Sequence, residues 1–116
     1  MPSGELLRPN VRPVLTRGRA DVFLSVVEWN ATSSAVEAGG YVSGVLEMEG
    51  RCTLTLTARG TTRTATSAAE PDATTMSCGS LSVPGSDLSP GTWTAVLTYE
   101  SGTARGGSAP FEVDVP

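Results

Sequence analysis

A chain of 116 residues with 39% hydrophobic and 17% charged side chains makes one globular domain around a single core. Its formal net charge is −4, and an acidic surface of this kind argues against nucleic-acid binding, which needs a basic face. Histidine, lysine, isoleucine and glutamine are absent, so serine–histidine and cysteine–histidine catalysis and histidine metal sites are excluded within the chain.

Residues 1–19 hold Arg8, Arg12, Arg17 and Arg19, opposed only by Glu5, and also Pro2, Pro9 and Pro13. Each proline pushes its predecessor toward extended geometry, and no strand period is visible. The expectation is a flexible leader or stalk, with the domain proper spanning 20–116. Met1-Pro2-Ser3-Gly4-Glu5 has no apolar signal core, so export would rely on a signal or anchor outside this segment. No run approaches the roughly 20 apolar residues of a membrane helix, and membrane insertion by this segment is not expected.

Asp21 to Trp29 is the first predicted strand. Val22, Leu24 and Val26 fall on one face, and Phe23, Val27 and Trp29 on the other. Asn30 to Ser34 is turn chemistry. Asn30-Ala31-Thr32 also fits a glycosylation acceptor, read here as a chance match. Val36 to Met48 is the second strand, with Gly39-Gly40 and Gly44 marking a bulge or bend. Cys52 to Ala58 is the strand around which the chain is organised. Cys52, Leu54, Leu56 and Ala58 share the core face, and Thr53, Thr55 and Thr57 the outer one.

Arg59-Gly60 turns the chain into Thr61 to Thr66, a threonine-rich strand guarded only by Arg63 and expected at a sheet edge. Ser67 to Thr74 reads as a polar loop. In Thr75 to Val83 the apolar positions change parity between Cys78 and Leu81, and Gly79 is the expected bulge. Pro84 to Gly91 is a turn-rich connection. Thr92 to Glu100 alternates cleanly, with Trp93, Ala95, Leu97 and Tyr99 inward. Ser101 to Ser108 reads as a glycine-rich hairpin loop, and Phe111, Val113 and Val115 as the inner face of the last strand. About seven short strands with turns between them predict an all-β fold, a two-sheet antiparallel sandwich of immunoglobulin-like type.

Cys52 and Cys78 both lie on the apolar parity of their strands. Of a disulfide, a half metal site and free thiols, this favours a buried disulfide, and with it an oxidising compartment: the cell surface or the extracellular space. The stretch Leu88-Ser89-Pro90-Gly91-Thr92-Trp93-Thr94 resembles the entry to the penultimate strand of bacterial immunoglobulin-like and fibronectin type III-like domains. The resemblance extends over residues 20–116 and implies architecture only. Antibody-type domains place their cysteines on the second and sixth strands with a tryptophan between. Here the cysteines fall on about the third and fifth, and Trp93 follows both. Residue usage that favours alanine, glycine, arginine and valine over lysine and isoleucine suits a G/C-rich genome, such as an actinobacterial one.

Glu47 and Glu49 on one strand face, and Glu70 and Asp72 in one loop, are expected to be solvated rather than catalytic or calcium-binding. No catalytic residue, cofactor or metal is expected. Trp93 and Tyr99 share the core parity of Leu97. The surface expected to meet a ligand or partner comprises Phe23, Trp29, Tyr41 and Arg63. The function expected is that of a non-catalytic structural or protein-binding module of an exported, tethered bacterial protein, with self-association through an edge strand as one mode. The alternative is a carbohydrate-binding or accessory module of a secreted enzyme.

Overall fold

A computed structural model describes residues 18–116. These residues form ten strands and a single-turn 3-10 helix at Gly85–Asp87. The strands are β1 (Gly18–Arg19), β2 (Asp21–Asn30), β3 (Ala35–Ser43), β4 (Arg51–Ala58) and β5 (Thr61–Ala68). They continue with β6 (Glu70–Asp72), β7 (Thr75–Pro84), β8 (Gly91–Glu100), β9 (Ala104–Gly107) and β10 (Phe111–Val115).

One sheet runs β1-β9-β8-β4-β5, with β10 also on β8; the other runs β2-β3-β7-β6. This is the order of an immunoglobulin-type sandwich, two sheets joined by Greek-key connections. The long strand β8 explains the branch. One of its edges pairs with β4, while the other pairs with β10 along Gly91–Ala95 and with β9 along Thr98–Glu100. All pairings are antiparallel except that of β1, which lies parallel to β9. The three extra strands come from stretches that read as leader or loop. Gly18–Arg19 pairs with β9, Glu70–Asp72 pairs with β7, and Ala104–Gly107 pairs with β8. None has an apolar alternation of its own, and each is a strand because a longer neighbour offers it backbone partners. The expectations for residues 1–17 lie outside the described residues.

The alternating strands behave as their period dictates. Cys52, Leu54 and Leu56 of β4 face Trp93, Ala95, Leu97 and Tyr99 of β8 from the next strand, and all are buried. Val36, Ala38 and Val42 of β3 with Met76, Leu81 and Val83 of β7 close the core from the other sheet. Cys52 and Cys78 are bonded, with Cα atoms 5.7 Å apart, so the disulfide joins the two sheets through the centre of the core.

Two bulges decide which side chains go inward. In β7, Cys78 and Gly79 together oppose Gly40 of β3, and Gly79 adopts φ +66°. Met76 and Cys78 before the bulge and Leu81 and Val83 after it therefore all reach the core. In β2 the register shifts between Leu24 and Val26. Val22 and Leu24 point inward, and beyond Ser25 the parity reverses. Val27 and Trp29 then pack on the core and Val26 is turned out. The two-faced apolar pattern of this strand thus comes from the bulge.

Three further boundaries differ from the sequence expectation. The second strand ends at Ser43; Gly44, at φ +88°, starts a connection to the first sheet, and Glu47 and Glu49 share no strand face. Strand β5 runs on to Ala68, and Ala69 beside it is buried. Phe111 is 46% exposed, because residues 108–110 bring the chain onto β8 at the sheet margin and only Val113 and Val115 reach the core.

Candidate functional site

The outer face of β2 and β3 gathers the exposed apolar side chains. Phe23 and Tyr41 are cross-strand neighbours in register, and their rings stack with centroids 5.0 Å apart and planes 23° from parallel. Val26, turned out by the bulge, lies over Gly39, whose missing side chain leaves it room. The three are 45%, 46% and 40% exposed for Phe23, Val26 and Tyr41. Polar groups rim them. Ser77 and Ser80 of β7 pair with Tyr41 and Gly39, and Ser25 donates to the Gly39 carbonyl at 3.2 Å. The patch is firmly placed, since Gly40 beneath it is buried where a Cβ would overlap the Phe23 carbonyl and the Leu97 side chain.

Of the four surface residues expected from sequence, only Phe23 and Tyr41 come together. Trp29 lies six residues along β2 from Phe23, ~20 Å away, and on the opposite face. It packs against the core and over Gly85, whose Cβ position its ring occupies. Trp29 and Tyr41 therefore form no common platform for a sugar. Trp93 is fully buried and donates its indole N–H to the Ser89 carbonyl at 2.9 Å. The sequence missed Val26 as a surface residue because the bulge that exposes it is a property of the β2–β3 pairing.

Strand β5 is an edge of the first sheet, as its composition suggested. Its guard works differently from a simple outward charge. Thr62, Thr64 and Thr66 pair with the outward threonines of β4, so Arg63 has the inward parity. From there it reaches across the side of the sandwich and donates Nε to the Asp87 carbonyl at 3.0 Å. An inward-pointing charge is a device that blocks a further strand from docking on an edge.

Arg59 is likewise committed to the fold. It sits at φ +49° in the two-residue turn with Gly60, at φ +80°. Its guanidinium lies 5.7 Å from the Trp93 ring and donates to Ser89 Oγ at 2.9 Å and the Pro90 carbonyl at 3.2 Å. Asn30 accepts from the N–H groups of Thr32 and Ser33, which explains its place in the β2–β3 turn. Glu47 accepts from the hydroxyls of Ser101 and Thr103 and anchors the β8–β9 turn. The Tyr99 hydroxyl is buried beside Gly50 with no hydrogen-bond partner of good geometry, though Ser101 and Glu47 lie near. Burial raises its pKa above 10.0; Ser101 opposes the shift and Glu47 adds to it.

Among the described residues no group of three or more cysteine or acidic side chains is placed to hold a metal ion, and no helix is long and apolar enough to cross a membrane. Comparison with known proteins finds no matching family model, no matching curated protein and no matching solved structure.

Proposed function

We propose that this chain is a non-catalytic binding module of an exported bacterial protein, and that it docks a protein partner on the outer face of β2 and β3. The observation that carries the reading is the stacked Phe23–Tyr41 pair with Val26 beside it, an apolar patch left open to solvent and rimmed by serines. Contiguous exposed apolar surface with a polar rim is what a protein interface presents before it is covered. The sandwich supplies rigidity, so the patch is preorganised and little ordering cost falls on binding. The Cys52–Cys78 bond supports the exported location, since buried structural disulfides persist in oxidising compartments.

The variant F23S/Y41S tests this reading. The full chain and the variant, at equal melting temperature, are compared for self-association by sedimentation and for capture of cell-envelope proteins. Association or a specific envelope partner lost in the variant is the expected result. Identical behaviour of the two proteins in both measurements removes the patch as an interface.

A further inference from the structure

Charge is sorted between the two sheets. The described arginines all belong to the first sheet or its turns: Arg19 in β1, Arg51 in β4, Arg63 in β5, Arg105 in β9, and Arg59 just after β4. The strands of the second sheet carry no basic side chain, and Asp21, Glu28, Glu37, Glu70 and Asp72 lie on them. Register puts these carboxylates on the outer face, around the Phe23–Tyr41 pair. Asp21 precedes Phe23 by two residues, and Glu70 stands in row with the rings through Ser77. At the other end of the patch, beyond Val26, Glu28 faces Glu37 directly across the strand pair. Asp21 lies 3.9 Å from Arg19, with both side chains largely exposed. Glu37 accepts from Asn30 Nδ2 and Ser33 Oγ, each at 2.9 Å. Glu28, Glu70 and Asp72 are exposed. Like charges directly opposite on a strand pair are destabilising, and the second sheet has no cation of its own to offset Glu28 and Glu37.

We propose that the partner of this face is an extended, cationic segment of another protein. An arginine or lysine of that segment bridges Glu28 and Glu37, and its apolar side chains two and four residues away cover Val26 and the Phe23–Tyr41 pair. The inference rests on the patch being an interface and adds the chemistry of what covers it. Glu37 and Tyr41 are four residues apart on one strand, ~13 Å, with Gly39 and Val26 at the midpoint. An extended chain repeats its same-face side chains every ~7 Å, so alternate residues of the partner fall in step with the three contacts. The rings suit the same partner, because a guanidinium or ammonium is attracted to an aromatic face. A second copy of this chain would set carboxylates against carboxylates on this face, and like-charge juxtaposition opposes that pairing. An acidic peptide or acidic glycan is repelled for the same reason.

Titration of the isotope-labelled full chain with end-capped peptides, followed by its amide NMR signals, tests the proposal. The probes are Arg-Thr-Val-Thr-Phe-Thr in both chain senses, the same peptides with Gln or Glu in place of Arg, and a peptide of residues 1–17 of this chain. The Arg probe should bind most tightly and the Glu probe least, salt should narrow the difference, and the shifts should centre on β2 and β3. E28Q/E37Q should weaken the Arg probe about fivefold and leave the Gln probe unchanged, since an exposed ion pair contributes a factor of about two. E28Q alone, which leaves the hydrogen bonds of Glu37 in place, should weaken it about twofold. E49Q/E112Q removes the same charge from exposed sites off this face and should change little. Equal affinity for the Arg and Glu probes, shifts away from β2 and β3, or unchanged binding of the Arg probe by both Glu28 variants overturns the proposal. Tightest binding of the 1–17 peptide overturns it too, by giving the face to this chain's own N-terminal residues. If the Gln probe binds best and F23S/Y41S abolishes it, the patch is an interface for a neutral partner, and only the cationic inference falls.

Discussion

Tyr99 shows how one residue can serve packing at the expense of its polar atom. Its ring belongs to the inner face of β8 and is buried with Trp93 and Leu97, yet its hydroxyl reaches Gly50 without a bonded partner. A buried hydroxyl left unpaired costs about 1–3 kcal/mol relative to a satisfied one. Tyr99→Phe removes the oxygen and keeps the ring, so the variant should be equally stable or up to about 1 kcal/mol more stable at neutral pH. The pH dependence has a definite sign. Burial raises the folded-state pKa above 10.0, so folding favours the protonated phenol. That stabilisation is complete below pH 10 and is lost as pH rises from 10 through the folded value. Urea unfolding midpoints measured at pH 8 and above pH 10 should therefore fall less in Tyr99→Phe than in the parent.

At the level of the element, the bulges in β2 and β7 matter more than strand length. Each inserts one residue against its partner and reverses inward and outward positions beyond it. The β7 bulge lets four apolar residues reach the core, and the β2 bulge turns Val26 toward solvent beside Phe23 and Tyr41. Gly40 is the point at which the two sheets approach, opposite the β7 bulge and against Leu97 of the facing sheet. Gly40→Ala would force a Cβ into the Phe23 carbonyl and the Leu97 methyl. Overpacking of this kind costs about 1–3 kcal/mol. The expected outcome is a melting temperature lower by several degrees, and a looser Phe23–Tyr41 pair visible as faster amide exchange at the centre of β2. A variant that melts like the parent would mean that the sheets separate there without strain.

For the whole molecule, the Cys52–Cys78 bond is the covalent link between the sheets, running from β4 of one to β7 of the other. The loop it closes spans 26 residues, and the chain-entropy estimate for a loop of that size is about 3–4 kcal/mol. A small all-β domain has a modest core, so this is a large share of a net stability of about 5–15 kcal/mol. C52A/C78A should keep the same strand signature in circular dichroism but unfold at a lower urea concentration, with the loss matching that estimate. Equal midpoints for the two proteins would show that the sheets hold without the link.

Much of the architecture is local and was therefore legible in the residues alone. The period of two in Cys52–Ala58 and Thr92–Glu100 fixes which side chains are buried, and the turn residues at Asn30–Ser34 and Arg59–Gly60 fix where the chain reverses. The shared apolar parity of Cys52 and Cys78 anticipates their bond. Gly79 marks its bulge because the apolar positions change parity between Cys78 and Leu81, and the glycine there can take the positive φ that the bulge adopts. The tertiary structure alone decided what depends on pairing between distant strands. Gly18–Arg19, Glu70–Asp72 and Ala104–Gly107 become strands only beside β9, β7 and β8. Register against β3 places the β2 bulge, and with it the separation of Phe23 and Tyr41 from Trp29. Asp21, Glu37 and Glu70 lie far apart in the chain, and only the lateral order of four strands sets them on one face. A sequence states the period of each strand, but hydrogen bonding between strands chooses the neighbours, and a surface is made of neighbours.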